Sequence, residues 1–301
     1  PYELTETDGK LFGRGTADMK GFVACAMAAA LRAANMDLKT PLHLGLSYDE
    51  EVGCLGVRSM IDMLAAAPLR PQMCIVGEPT GMAVATGHKG KTSARLNTVG
   101  HASHSALAPN ALNAIHMACD MITVIRALQT GLQADGAQDD AYDIPYTTLH
   151  VGTIAGGTVL NIVPDAASFA FEIRALAQDD PGDIIARIKA RCDEYLHDVR
   201  TAFPDASITV DITGSYPALD TDPNSNVVHF VQGLLGKKTT IKVAFGTEGG
   251  LFSSQLGIPT VVCGPGSMAQ GHRPDEYIHC SELEACDTML SALLARLETG
   301  L

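Results

Sequence analysis

Two stretches of alternating short strands and helices flank a run of different texture. That interruption constrains the fold more than any other feature of the chain. Ahead of it, Leu11 to Lys20 is a turn, 22–34 an alanine-rich helix read as buried, and 41–47 (PLHLGLS) a short apolar strand. A helix over 57–66 and a second apolar strand over 73–76 follow. Alternation of this kind builds an α/β sheet with mostly parallel strands. The interrupting run reads as a strand over 91–99, with Ala94, Leu96 and Thr98 on one face, then a helix over 110–132 and a polar, mobile loop over 131–142. Strands over 147–154 and 168–175 come next, joined through Gly156-Gly157 and Pro164. A helix over 181–201, opened by Pro181, and a strand over 208–213 complete it. This β-α-β-β-α-β order is that of a ferredoxin-like sandwich. From Asp220 the first pattern resumes, with a helix over 226–235, a strand over 258–263 and a loop over 271–277. The final helix spans 281–299, with Ser281 and Glu284 placed as a capping box. The expected architecture is a mostly parallel α/β domain of residues 1–88 and 215–301. A ferredoxin-like α+β domain of residues 89–214 is inserted into it.

The 301 residues suffice for two domains, each with its own core. No apolar run approaches the ~20 residues of a membrane span, and no signal segment opens the chain. The formal charge of −13 argues against nucleic acid or an anionic membrane as partner. Eight cysteines lie scattered without a CxxC, which predicts free thiols and a reducing, cytoplasmic setting. The start, Pro1-Tyr2-Glu3-Leu4, reads as the middle of a loop, so the chain is expected to be an N-terminally shortened piece of a longer protein.

Acidic residues gather at the ends of the α/β elements. Asp18 sits in Gly13-Arg14-Gly15-Thr16-Ala17-Asp18-Met19-Lys20-Gly21, ahead of the first helix, where a carboxylate is either a helix cap or a metal ligand. Asp49-Glu50-Glu51 follows a strand and is either a solvated turn or a pair with divided labour. One carboxylate then binds a metal, and its neighbour acts as general base. Glu78 and His272 alone would be a surface glutamate and a loop histidine. In open α/β sheets, however, ligands gather beyond the carboxyl ends of strands. Together Asp18, Glu51, Glu78 and His272 form an oxygen-and-nitrogen set suited to zinc or a similar divalent ion.

GRGTADMKG, SYDEEVG, GEPT, GHKGK, FGTEGGLF and GPGSMAQGHRPDEYI together resemble, in order, the segments of a dizinc hydrolase family. That family includes acetylornithine deacetylase, succinyl-diaminopimelate desuccinylase, aminoacylase and glutamate-releasing carboxypeptidases, and the resemblance is greatest to the acetylornithine deacetylase branch. It implies that Asp18 bridges two zinc ions, that Glu78 completes one site, and that Glu51 with His272 completes the other. Cobalt is an implied substitute. Glu50 is implied to be the general base, with a cis peptide at Asp18–Met19. In GHASHS, His104 matches the histidine that steadies the oxyanion in a partner subunit, with His101 as its rival. Asn161 and Arg174 match substrate-binding positions, with a loop asparagine and an edge-strand arginine as the plainer readings. Gly246-Thr247 is implied to offer a backbone and a hydroxyl contact. The family's earlier His-x-Asp segment has no counterpart, so one tight zinc site and impaired activity are expected of this chain.

The implied function is zinc-dependent hydrolysis of an N-acyl amino acid, N-acetylornithine above all, by a homodimer joined through its inserted domain. The alternatives are a desuccinylase, a dipeptidase or carboxypeptidase of the same family, or a non-catalytic dimerising fragment.

Overall fold

The structure is a computed structural model that describes residues 2–301; Pro1, in the loop expected at the start, lies outside the described residues. In chain order the elements are β1 (Thr5–Thr7), β2 (Lys10–Phe12), α1 (Gly21–Ala33), α2 (Val57–Ala66), β3 (Cys74–Val76) and β4 (Val84–His88). Then come β5 (Gly90–Val99), α3 (Ala114–Asp135), β6 (Thr148–Gly156), β7 (Ala166–Ala175), α4 (Pro181–Val199) and β8 (Ser207–Tyr216). The chain closes with β9 (Leu219–Asp220), α5 (Asn226–Leu235), β10 (Thr240–Val243), α6 (Gly249–Leu256), β11 (Thr260–Val262), β12 (Tyr277–His279) and α7 (Cys280–Thr299). They fall into two compact units, Pro1–His88 with Leu219–Leu301, and Lys89–Ala218. The return to the first unit comes a few residues after the expected 214, because β8 continues to Tyr216, where it still pairs with Lys91 of β5. Among the described residues no helix is long and apolar enough to cross a membrane.

The first unit is built on a mixed sheet of order β10-β4-β11-β3, with β9 beside β4. β10 with β4 and β11 with β3 run parallel, whereas β4 meets β11 and β9 antiparallel. Both faces are covered. Val84 and Val261 point into a cluster with Val228, Val231, Met289 and Leu290 from α5 and α7, while Ala85 and Val262 face Leu219 and Val243. Strands buried on both faces lack polar–apolar alternation, and β4 is buried along its whole length. A separate small antiparallel sheet, β1-β2-β12, ties the start of the chain to the approach to α7 through Phe12↔Tyr277.

Several expectations are corrected here. Residues 41–47 form no strand; Leu44 and Leu46 are 39% and 54% exposed, and an apolar strand persists only where a ladder satisfies its backbone. The first helix is not buried. Its small residues Ala26 and Ala29 turn inward, but Leu31 is 72% exposed. The Ser281–Glu284 capping box does not form. α7 begins one residue earlier, with His279 at the N-cap and no side-chain cap, and it is Glu282 that accepts a bond, from the Gly266 N–H.

The second unit is the ferredoxin-like sandwich, a four-stranded antiparallel sheet of order β6-β7-β5-β8 with α3 and α4 packed on one face. Ala94, Leu96, Phe169, Phe171 and Ile173 face Met117, Met121, Ile125, Ile185 and Ile188. α3 starts four residues later than expected and takes in residues 133–135, expected in a loop; its N-terminus is capped by Asn113 Oδ1 accepting from the Ile115 and His116 N–H groups.

Candidate metal centre

The first unit brings Asp18, Glu51 and His272 to one point. One potential ligand atom from each lies within 4.8 Å of the others. His272 Nε2 stands 3.0 Å from Asp18 Oδ2 and 3.2 Å from Glu51 Oε2. Asp18 comes from the irregular turn Thr16–Lys20 ahead of α1, and its peptide bond to Met19 is cis. Glu51 comes from a tight turn in which the Glu50 carbonyl accepts from the Gly53 and Cys54 N–H groups at 2.9 and 2.8 Å. His272 occupies the loop between β11 and β12 with φ of 58°, left-handed backbone that a residue with a Cβ rarely adopts.

Glu78 follows β3 and is buried, with its carboxyl hydrogen-bonded to Asp18. Burial, and then the Asp18 charge, push that carboxyl well above the usual range. Glu50 is pushed up to about 7, first by burial and then by the charges of Glu51, Glu248 and Asp18; a bond from Cys54 Sγ at 3.5 Å works the other way. Thus Glu78 joins Asp18, and Glu50 adjoins the group without being one of the three converging ligands.

Two residues of this region were not singled out from the sequence. Glu248, at the N-cap of α6, accepts from Ser47 Oγ at 2.8 Å through Oε2, and its buried Oε1 has no partner among the described residues. Glu276 is 3% exposed and accepts three backbone N–H bonds: from Gly15 at 2.8 Å, and from Ala17 and Asp18 at 3.0 Å each. The backbone passes closely here. A Cβ on Gly264 would stand 2.2 Å from the Gly77 carbonyl oxygen, so only glycine lets the chain leaving β11 run past Glu78.

The donor set suits a divalent cation. Carboxylate oxygens and an imidazole nitrogen are the ligands zinc takes. Burial and acidic neighbours that push the Glu50 and Glu78 carboxyls up make an electrostatic environment that a cation relieves.

The profile described as peptidase family M20/M25/M40 matches residues 1–296. The chain belongs to the M20/M25/M40 peptidase family. Its fold is similar to that of aminopeptidase PepT from Bacillus cereus, with a TM-score of 0.72 at 19% identity over 98% of this chain and 76% of that one. It is also similar to an M20 family metallo-carboxypeptidase, Sso-CP2, from Sulfolobus solfataricus (TM-score 0.72, 18% identity, 98% of this chain and 79% of that one). Human carnosine dipeptidase 1 gives a TM-score of 0.70 at 15% identity, over 99% of this chain and 76% of that one. By family this chain is therefore a hydrolase of the peptidase type, and its fold is mixed α/β like that of these structures.

The remaining residues singled out from the sequence come from other segments. Gly246 and Thr247 precede α6 in the first unit. Thr247 is fully buried, with Oγ1 accepting from the Gly249 N–H at 3.0 Å, so the hydroxyl expected to meet substrate is turned inward. His104, Asn161 and Arg174 belong to the second unit. His104 is exposed at the N-cap of a short 3-10 turn, Ser105–Asn110, and its Nδ1 accepts from the Ala106 N–H at 3.1 Å. That bond puts the proton of the neutral ring on Nε2. His101 packs its ring against Phe203 with centroids 5.7 Å apart. The Asn161 carbonyl accepts from the Ser105 N–H at 2.9 Å, which ties its loop to the His104 turn. The Arg174 fork is bidentate, but onto Glu172, at 3.0 and 3.3 Å, with Tyr216 Oη 3.3 Å from its remaining nitrogen.

Proposed function

We propose that this peptidase-family chain hydrolyses the amide bond of a small N-acylated amino acid at a zinc centre held by Asp18, Glu51 and His272, with Glu78 on the far side of Asp18. Cobalt would substitute. The convergence of those three ligand atoms within 4.8 Å, beside the half-buried Glu50 carboxyl, is the observation that carries the proposal. A divalent cation bound there would supply Lewis-acid polarisation of the scissile carbonyl. Glu50 takes a proton from the attacking water and delivers it to the leaving amine nitrogen. Glu50 suits that role because it adjoins the three ligands without being one of them, and so stays free to exchange a proton.

In the second unit, which we assign as a lid and homodimerisation domain, His104 presents Nε2–H to the developing oxyanion, serving the partner subunit. The Ala106–His104 bond supports that assignment over His101, whose ring is taken up in packing. Arg174 and Asn161 hold the substrate carboxylate, with Arg174 exchanging one bond from Glu172, and the Gly246-Thr247 backbone contributes a further contact. The motif set favours N-acetylornithine and a cytoplasmic, biosynthetic setting. A dipeptide is the second reading, favoured by the similarity in fold to carnosine dipeptidase 1. Hydrolysis of N-acetylornithine, N-succinyl-diaminopimelate and a dipeptide, with zinc and after its removal, tests the proposal. Zinc-dependent release of an amine from one of the three supports it; no turnover of any of them overturns it.

A further inference from the structure

Glu276 is a buried carboxylate that accepts three backbone N–H bonds, and none of its bonds goes to a ligand side chain of the cluster. Oε1 accepts from the Ala17 and Asp18 N–H groups and Oε2 from the Gly15 N–H, with Arg14 Nη1 at 3.6 Å. Its own carbonyl accepts from the Gly13 N–H at 3.0 Å. One residue thus grips both ends of the 13–18 segment, which ends in Asp18. Glu276 is also four residues from His272, in the loop that enters β12, and β12 is paired with β2 immediately before Gly13. Two ligands 254 positions apart in the chain therefore share one anchor.

We infer that Glu276 is a positioning residue for the metal centre: it clamps the Asp18 backbone to the His272 loop and so sets the Asp18–His272 separation that zinc requires. This rests on the zinc reading above. A carboxylate suits the task because both oxygens accept. A glutamine places an NH2 against at least one N–H donor, and a buried donor facing a donor loses its bond outright. An aspartate keeps both acceptors but is one methylene too short to reach them.

The test is zinc affinity of the full chain, by competition with a chromophoric chelator, for the wild type, Glu276→Gln, Glu276→Asp, Asp18→Asn and Asp18→Asn/Glu276→Gln. The expected result is a loss of about tenfold or more for Glu276→Gln, a smaller loss for Glu276→Asp, and no further loss when Glu276→Gln is added to Asp18→Asn. That non-additivity is what action through Asp18 requires, and a merely structural residue would not produce it. Should Glu276→Gln fail to fold, Glu276→Asp against Asp18→Asn/Glu276→Asp completes the same cycle. Wild-type affinity in the folded Glu276 variants, or equal losses from the Glu276 change with and without Asp18→Asn, overturns the inference while leaving the zinc site standing. Zinc binding insensitive to Asp18→Asn overturns both.

Discussion

Glu50→Gln should stabilise the metal-free protein above neutral pH while sharply lowering turnover. The Glu50 carboxyl is pushed from the usual 4.5 up to about 7, so between those values the folded chain holds a proton that the unfolded chain has released. The folded state then binds more protons than the unfolded state, and stability falls as pH rises through that window. The rise corresponds to at most about 3.5 kcal/mol, at ~1.4 kcal/mol per pH unit. Glu50 is only partly buried, and solvent at its open edge reduces this to about 2 kcal/mol. Glutamine keeps a carbonyl oxygen for the Cys54 thiol and carries no charge against Glu51, Glu248 and Asp18. In EDTA-treated protein followed by thermal unfolding, the variant should match the wild type near pH 4.5. It should melt roughly 4 °C higher at pH 8, on a scale of ~2 °C per kcal/mol for a chain this long. Turnover with zinc restored should fall by about 10²-fold or more, the usual contribution of a general base. A variant less stable than the wild type at pH 8, or a difference that does not change between pH 4.5 and 8, would refute the electrostatic reasoning.

Zinc at about 100 times its dissociation constant should stabilise the chain by ~2.7 kcal/mol, and Asp18→Asn, Glu51→Gln or His272→Ala should each remove most of that rise in melting temperature. His104→Ala should lower kcat by about 10²-fold and leave zinc content unchanged, whereas His101→Ala should act chiefly on stability through its lost packing on Phe203; metal analysis and kinetics on both variants check this. Arg174→Lys should raise KM by about tenfold, because lysine cannot reproduce the planar fork; steady-state kinetics on the preferred substrate measures it.

The ferredoxin-like unit was legible because its strands are half-buried and alternate, as Thr92, Ala94, Leu96 and Thr98 do along β5. The candidate ligands Asp18, Glu51 and His272 stood out because they sit in glycine- and proline-marked turns at element ends. β4 was missed because Val-Ala-Thr-Gly-His is buried on both faces and carries no alternation to read. α6 was missed because Gly249 and Gly250, poor helix formers, open it. Glu276 and Glu248 look like ordinary acids in HRPDEY and FGTEGG. Their burial is decided by partners far off in sequence, Gly15 to Asp18 for one and Ser47 for the other. The segment over 41–47 shows the opposite error, since local apolar character predicts a strand whether or not a partner strand is present.

Anomalous X-ray diffraction at the zinc edge, from crystals of the zinc-loaded protein, tests the metal centre most directly. A peak roughly 2.0–2.2 Å from Asp18 Oδ2, Glu51 Oε2 and His272 Nε2 is the predicted result. Zinc bound elsewhere, with those three side chains unliganded, would contradict it.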